Sequence, residues 1–453
     1  MEVVTRTQAA DHLTPVRAYA ALRAQSPGRS SFLFESVVPG ERWGRYSIIG
    51  YRARTEAIAS PGDEDALALF GAHAEGLVRT DSLAARVSQA VVGYLAYDAV
   101  HAPNRIESWP REPDLARVMR DCTVVVFDNL RQTMTLAGRT DNALDRCAWE
   151  MTHGPELRPF PVPDANATPL HLSVSMDDAS YGARVERAKE YIRAGDAFQI
   201  VLARTFTAPA RNADAFDVYR ALRVLSPSPY LYFLDFAEVP MSEAMCVAGA
   251  SPETMVRVEH GQMVLRPIAG TRPRGATEAE DAALTAALLA DPKERAEHVM
   301  LIDLARNDLG RVCKPGSIQL SLNMGVERYS HVMHIVSEVV GEHRAEAAMI
   351  DLVRACFPAG TLSGAPKVRA MQIIRELEGG PRGIYGGAIG WMHRDELDLA
   401  IAIRTVVARG GQLEVTAGAG IVHDSVPELE AAETRNKARA ALAAIRAAQD
   451  AAA

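Results

Sequence analysis

Acidic side chains at helical spacing are the residues of this 453-residue chain whose chemistry is easiest to name. Near the C-terminus, Glu430, Glu433 and Lys437 follow one another at intervals of three and four residues, which places them on one face of a helix. Two carboxylates on one face repel each other unless a proton or a cation lies between them. The spacing therefore predicts a metal-binding face, and the alternative is an ordinary solvated, charged helix.

A second pair of carboxylates has the same spacing. Glu294 and Glu297 lie within a stretch, 277–305, whose pattern predicts one helix. Each pair alone is typical of a solvated surface, but two pairs supply four carboxylates from two helices. Mg²⁺ binds a few such oxygens and keeps waters or substrate oxygens as its other ligands. Because each pair also lies near a glycine-rich or basic segment, we expect a magnesium site between the two helices.

A glycine-rich segment leads into the C-terminal helix. Gly418, Ala419 and Gly420 follow a β-branched run, and they predict a turn whose N–H groups approach an anion closely. Ser425 is the expected N-cap of the helix, and Pro427 suits its first turn.

The loop 357–367 is also rich in glycine and ends in Pro366 and Lys367. Its spacing differs from that of a phosphate loop, and proline lacks the N–H that such a loop would use. A nucleotide-binding protein is therefore disfavoured, whereas a glycine-rich helix entry suits a carboxylate as well as a phosphate.

Two histidines, His331 and His334, lie three residues apart among β-branched residues. The composition of 329–340 favours a strand, on which this odd spacing directs the two rings to opposite faces. A shared zinc site is therefore disfavoured. Either ring can act as an acid or base, or can be a hydrogen-bonded structural histidine.

Composition limits the class of protein. With 48% hydrophobic residues the chain can bury a large core, and its net charge of −8 argues against nucleic-acid binding. The five cysteines form no C-x-x-C pair and predict buried thiols in a reducing compartment, the cytoplasm. Neither a signal peptide nor a membrane-spanning segment is expected, because no long apolar run occurs.

Proline marks the best candidate for a linker. Residues 154–169 contain five prolines and divide an N-terminal region, 1–153, from a C-terminal region, 170–453. Strands, including one over 398–407, do not alternate regularly with helices such as that expected at 178–193. An α+β fold is therefore predicted, and a doubly wound sheet is not.

Several long segments resemble the chorismate-utilising enzymes, and within that family most closely component I of anthranilate synthases. In order, they are Arg266–Gly275, Leu301–Gly310, His331–Gly341, Gly360–Lys367 and Gly418–Lys437. The resemblance is dense over about 175–440 and extends into the N-terminal region. It implies two orthogonal antiparallel β-sheets in a sandwich flanked by helices, chorismate as substrate and Mg²⁺ as cofactor.

The resemblance also implies roles for individual residues. Glu297 and Glu433 would be metal ligands, with Glu294 and Glu430 holding metal-bound waters. His334, Thr361 and Glu253 would take part in catalysis. The substrate would be bound by Ala269, Gly270, Thr271, Tyr385, Arg404, the backbone of Gly418, Ala419 and Gly420, and Lys437.

Position 269 separates the members of the family. Aminodeoxychorismate, isochorismate and salicylate synthases typically carry lysine there, whereas Ala269 cannot act as a nucleophile or base. Ammonia must then come from outside, and the chain contains no cysteine–histidine glutaminase pattern. We therefore expect an anthranilate synthase large subunit in a heteromer with a glutamine amidotransferase. The alternatives are aminodeoxychorismate synthase component I and a non-catalytic, tryptophan-sensing relative.

The N-terminal segment Leu33–Ser36 resembles the Leu-Leu-Glu-Ser motif with which the family binds the feedback inhibitor tryptophan, and Phe34 departs from that motif. The segment Pro227–Leu231 resembles the other wall of that pocket. Two ordinary strand ends are the alternative. The contacts implied for tryptophan are Glu35, Ser36, Pro229, Tyr230 and Leu231.

Overall fold

Two antiparallel sheets organise the chain in the computed structural model, which describes residues 3–36, 44–61, 63, 65–72, 80–110, 113–240, 242–329 and 332–453. The strands are β1 Val4–Ala9, β2 Ser31–Glu35, β3 Tyr46–Tyr51, β4 Thr55–Ala59, β5 Val91–Leu95, β6 Ala116–Arg120, β7 Thr123–Asp128, β8 Thr133–Gly138, β9 Ser173–Val174, β10 Gln199–Pro209, β11 Tyr230–Phe236, β12 Met245–Ser251, β13 Thr254–Glu259, β14 Gln262–Leu265, β15 Ile268–Pro273, β16 Gln319–Arg328, β17 Val332–Glu342, β18 Gly364–Ala365, β19 Ala388–Met392, β20 Leu397–Ile401, β21 Thr405–Arg409 and β22 Gln412–Ile421.

The α-helices of the described residues are α1 Pro15–Ala24, α2 Ala66–Ala72, α3 Leu83–Gln89, α4 Asp141–His153, α5 Asp178–Arg193, α6 Ala215–Leu225, α7 Glu278–Ala290, α8 Pro292–Gly310, α9 Met349–Cys356, α10 Gly360–Ser363, α11 Lys367–Glu378 and α12 Pro427–Ala451. Among the same residues, no helix has the length and apolar character needed to cross a lipid bilayer.

Strand order shows how the sheets are built. Sheet A runs β1-β8-β7-β3-β2-β11-β12-β21-β22-β10-β18, with β9 on β10. Sheet B runs β15-β17-β14-β13-β20-β19-β5-β6-β4, with β16 on β17. The predicted α+β class with two antiparallel sheets is therefore confirmed.

The two sheets pack face to face, and helices cover their outer faces. In β5, Val92 and Tyr94 belong to the core between the sheets, whereas Val91 and Leu95 face the helices α2, α8 and α9. This alternation follows from the two-residue period of a strand. The outer face of sheet A is covered by α1, α4, α6 and α12. All five residues of β5 are buried, because both of its faces are covered.

The strands of the N-terminal and C-terminal regions share both sheets. In sheet A, Phe34 of β2 lies opposite Tyr232 of β11, and in sheet B β5 pairs with β19. The proline-rich segment between the regions is anchored, since Leu157 and Phe160 pack against the core of sheet A and its helices. The three-part division of the chain stays a prediction.

The chain passes between the sheets at two neighbouring points. It leaves sheet A after β12 and enters sheet B at β13, with Glu253 between the two strands. It returns from β20 to β21 through Arg404, whose φ is 50°. The expected single strand over 398–407 is therefore wrong, because a left-handed residue turns the chain from one sheet into the other.

A second correction concerns the stretch 277–305, which forms two helices instead of one. The side chain of Asp291 accepts hydrogen bonds from the N–H groups of Lys293 and Glu294, at 2.9 and 3.2 Å. Pro292 follows at the first helical position, where a missing N–H costs nothing. The break places Glu294 in the first turn of α8.

All five cysteines are free thiols. Cys122, Cys147, Cys313 and Cys356 are buried, and Cys246 is partly buried. The sequence prediction of thiols within the core is confirmed for these four positions.

Candidate active site

The site predicted from the sequence is assembled around the two points where the chain crosses between the sheets. Hydrogen bonds tie the crossings together: the N–H of Ile401 donates to the carbonyl of Glu253 at 3.0 Å, and that of Ala250 donates to the carbonyl of Arg404 at 3.2 Å. The crossings are adjacent because β12 pairs with β21 and β13 pairs with β20. Residues far apart in sequence are thereby fixed at one place.

Glu253 is the best candidate for an acid. The hydroxyl of Thr361 donates a hydrogen bond to its carboxyl group at 2.9 Å. Burial raises the pKa of Glu253 to about 7, against the lowering effects of Thr361, Lys437 and Arg404. The group therefore carries a proton for a large fraction of the time near neutral pH, as a proton donor requires.

His334 is held as a neutral base. Its Nδ1 lies 3.0 Å from the hydroxyl of Thr271 and 3.2 Å from the carbonyl oxygen of Gly270. A carbonyl only accepts, so we assign the proton of the neutral ring to Nδ1, which leaves the lone pair of Nε2 free. Burial and then the charge of Arg404 lower the pKa of His334, which keeps the ring neutral.

Arg404 has no carboxylate partner. Among the described residues, no hydrogen bond or ion pair involves its guanidinium group, although burial lowers its pKa. The charges of Glu253 and Tyr329 act on it from a distance. Removing a guanidinium partly from water without a partner is costly, and its fork of donors suits a carboxylate ligand.

The glutamates of α8 and α12 act on one another. Burial, followed by the charge of Glu294, raises the pKa of Glu297, and Glu433 of α12 adds to this effect. Burial also raises the pKa of Glu430, to which Glu433 contributes. The acidic faces of α8 and α12 are therefore close enough for their charges to interact, with Glu433 itself exposed and the other three glutamates partly buried.

Two cations partly neutralise these faces. Glu294 pairs with Arg272 of β15 at 3.1 Å, and Glu433 pairs with Lys437 at 2.6 Å. Within the described ranges, no three acidic, histidine or cysteine side chains lie close enough together to hold a metal ion. The residues nevertheless fit a hard cation in kind, since Glu297 is a partly buried carboxylate on which the charges of Glu294 and Glu433 act.

Gly418, Ala419 and Gly420 do not form the predicted turn. They lie in extended β22, where Ala419 is opposite Leu202. The N–H of Gly418 bonds to the hydroxyl of Tyr385, and its carbonyl accepts from Lys437 at 3.1 Å. A Cβ on Gly418 would lie 2.7 Å from the Tyr385 hydroxyl, so close approach is what requires glycine here.

The start of α12 also differs from expectation. The N-cap is Val426, without a side-chain cap, and Pro427 takes the first position as predicted. The hydroxyl of Ser425 instead accepts from the N–H of Val422 at 3.0 Å and bonds to the carboxylate of Glu430. Ser425 therefore orients an acidic side chain instead of the helix backbone.

The two segments expected to bind tryptophan meet as neighbouring strands. Glu35 at the end of β2 lies opposite Leu231 of β11, and Pro229 precedes that strand. The hydroxyl of Ser36 is buried without a partner among the described residues. The hydroxyl of Tyr230 donates to Asp398 at 2.8 Å.

Sequence reasoning missed two neighbours of the site. The ring of Tyr329 lies 5.8 Å from that of His334, and no motif marks it. Arg272, the partner of Glu294, directly follows Thr271 within the segment Arg266–Gly275. Its position in that segment could have identified it as a residue of the site. His331 lies outside the described residues.

Comparison with known proteins decides the family. The family described as chorismate binding enzyme matches residues 40–443. The chain belongs to this family. Component 1 of anthranilate synthase from Acinetobacter calcoaceticus is 42% identical over 98% of this chain and 94% of its own length. The Aquifex aeolicus protein of the same name is 41% identical over 97% and 94%.

Solved structures agree with this assignment. Anthranilate synthase component I from Streptococcus pneumoniae superimposes with a TM-score of 0.77 at 32% identity, covering 96% of this chain and 99% of that one. The menaquinone-specific isochorismate synthase from Escherichia coli, at 18% identity and a TM-score of 0.73, shares the fold over 98% of this chain and 95% of its own. The resemblance seen in the sequence is confirmed, and the chain is an enzyme of the chorismate-binding family.

Glu253 gives a prediction about stability and pH. Its pKa of about 7 lies above the ordinary 4.5, so between these values the folded protein binds more protons than the unfolded chain. The free energy of unfolding should therefore fall as pH rises through this window. In Glu253→Gln this contribution is absent. Across the same window its free energy of unfolding should therefore fall by about 1–3 kcal/mol less than that of the wild type.

Urea unfolding of both proteins at several pH values between 4.5 and 8 measures this slope. Glu156→Gln, the same change at an exposed site, is the matched control and should keep the wild-type slope. An unchanged slope in Glu253→Gln would show that the carboxyl group is not buried as described.

Proposed function

We propose that this chain catalyses the anthranilate synthase reaction, in which chorismate and ammonia give anthranilate, pyruvate and water. The observation that carries the proposal is the partly buried guanidinium of Arg404, which has no partner among the described residues and lies beside Glu253, a carboxyl group with a pKa of about 7. One group suits a carboxylate of the substrate and the other suits a leaving hydroxyl. The anthranilate synthase components 1 that are similar to this chain support the same reaction.

Substrate binding is assigned to the cationic and hydroxyl groups of the site. Arg404 binds one carboxylate of chorismate, and Lys437, which already donates to the carbonyl of Gly418, reaches the other together with Tyr385. Ala269, Gly270 and Thr271 of β15 lie along the ring. Two anionic groups thus meet two cations in a protein whose net charge is −8.

The first step adds ammonia. A C–N bond forms at the ring carbon next to the one that bears the carboxylate, and the ring hydroxyl leaves as water with a proton from Glu253. Thr361 orients the Glu253 carboxyl through its 2.9 Å hydrogen bond. Ala269 provides no amine that could attack in place of ammonia, which favours this chemistry over that of the lysine-bearing relatives.

The second step releases pyruvate. Nε2 of His334 accepts the proton from the ring carbon that carries the new amino group, and the C–O bond to the enolpyruvyl group breaks. The enolpyruvyl group takes up a proton and becomes pyruvate, and the ring becomes aromatic. His334 can do this because its Nδ1 is committed to Gly270 and Thr271.

Magnesium is proposed as the cofactor. Glu297 and Glu433 would hold it, with Glu294 and Glu430 around them, and when bound it would polarise the ring carboxylate as a Lewis acid. The partner proposed for delivering ammonia is a glutamine amidotransferase subunit, in keeping with the name component 1 carried by the relatives.

The direct test incubates the chain with chorismate, ammonium and Mg²⁺ while the fluorescence of anthranilate is recorded. We expect product with ammonium and none with glutamine alone, because the chain would lack a glutaminase. Chelation of Mg²⁺, or Glu297→Gln, should remove the activity. A para-aminated product, or full activity with glutamine in the absence of a partner, would contradict the proposal.

His334→Gln separates the two steps. Amination should continue, because His334 takes no part in it, whereas pyruvate release should slow by about 10²-fold or more. The aminated intermediate should accumulate and be visible by chromatography, with pyruvate measured by a coupled assay. The control is His12→Gln, which changes an exposed histidine near the N-terminus. If both steps kept their wild-type rates, the role assigned to His334 would be wrong.

Tryptophan is proposed as a feedback inhibitor bound between Ser36 and the segment 229–231. The buried hydroxyl of Ser36, which has no partner among the residues that the structure describes, supports a polar ligand there. Ser36→Ala should weaken the calorimetric affinity for tryptophan by about ten-fold, because one hydrogen bond is lost. Ser108→Ala, at an exposed serine, should bind like the wild type. Absence of heat on titration of the wild type with tryptophan would reject this site.

A further inference from the structure

Sheet A borders a second cavity, which is separate from the candidate active site and has no role in the proposed reaction. It is a surface cavity of about 180 Å³, open to solvent on one side. Tyr51 at the end of β3, Thr123 at the start of β7 and the first turns of α4 form its walls. The remaining charged side chains that line it are Arg29, Arg52, Arg54 and Arg146.

The charge of this cavity is of one sign. Four arginines line it and, among the described residues, no carboxylate does, although the whole chain has a net charge of −8. The side chains of Arg29, Arg54 and Arg146 form no hydrogen bond or ion pair within the part of the chain that the structure describes. These three cations have no counter-ion there and repel one another, so an anion between them would be bound favourably.

Arg52 is fixed in place more firmly than the other three. Its guanidinium donates to the carbonyl of Gln25 and to the carboxylate of Glu150, both at 2.7 Å. Its Nε is buried and has no acceptor among the described residues. Its φ of 55° is uncommon for a residue with a side chain and is found more often where function requires it.

The cavity is separate from the candidate active site. In sheet A, β2 and β11 lie between β3 and β12, the strand that leads to Glu253. It also lies at the opposite end of β2 from Ser36, because Phe32 at the start of that strand is opposite Gly50, the neighbour of Tyr51. Chorismate and tryptophan are therefore not its expected ligands.

We propose that this cavity binds a small, multiply charged oxyanion, a phosphate group. Guanidinium groups donate paired N–H bonds to phosphate oxygens, and several of them around one space suit an anion with more than one charge. A long polyanion is a poor match, because the site is a single concave space on an otherwise acidic protein. The phosphate can be free or the terminal group of a metabolite.

Calorimetric titration of the full chain tests the proposal, with inorganic phosphate and phenyl phosphate as probes at constant ionic strength. We expect saturable binding of at least one probe to the wild type. Tighter binding of phenyl phosphate would assign the site to phosphate esters, and tighter binding of inorganic phosphate would assign it to the free ion. The double variant Arg54→Gln with Arg146→Gln should weaken this binding by about ten-fold or more.

The matched control is Arg17→Gln with Arg184→Gln, which removes two other exposed arginines that have no ion-pair partner among the described residues, and it should keep the wild-type affinity. Saturating chorismate should not displace the probe. The proposal would be overturned by absence of saturable binding, by equal loss in the two double variants, which would indicate a response to net charge alone, or by displacement with chorismate.

Discussion

The adjacency of the two sheet crossings is the constraint on which the rest of the site depends. Each crossing carries one charged residue of the candidate site, Glu253 or Arg404. Pairing of β12 with β21 and of β13 with β20 holds these residues next to each other. A mobile loop would not keep a guanidinium buried without a partner, because the group would turn toward water. Rigid ladders on both sides make that arrangement stable.

The same cation influences the protonation of both candidate catalytic groups, in addition to the larger effect of burial. Arg404 lowers the pKa of His334 and opposes the rise in that of Glu253. Burial dominates at Glu253, so its pKa still reaches about 7, whereas burial and charge act in the same direction on His334. The result is a carboxyl group that can give a proton and an imidazole that can take one, near the same pH.

The sequence predicted the helices and strands that depend on local residue patterns. It missed the backbone conformations and contacts that depend on residues distant in the chain. Residue spacing placed Glu430 and Glu433 on a helix, and β-branching placed His334 on a strand. The helix break at Asp291 was within reach, since Asp-Pro is a common helix start. The turn at Arg404 and the extended conformation of Gly418 could not be predicted in this way, because each is imposed by neighbouring strands. The bond between Glu253 and Thr361 spans 108 residues and has no local signal.

A bulge in β15 contacts both His334 and the acidic helix α8. The pairing of β15 with β17 shifts register between Ala269 and Thr271, and Gly270 has a φ of 68°. This irregularity lets a backbone carbonyl and a side-chain hydroxyl reach Nδ1 of His334 together. It also brings the backbone to α8, since a Cβ on Gly270 would lie 3.2 Å from a carboxylate oxygen of Glu294. A regular strand would give neither contact, so the bulge fixes the tautomer of the base and the approach of the acidic face at once.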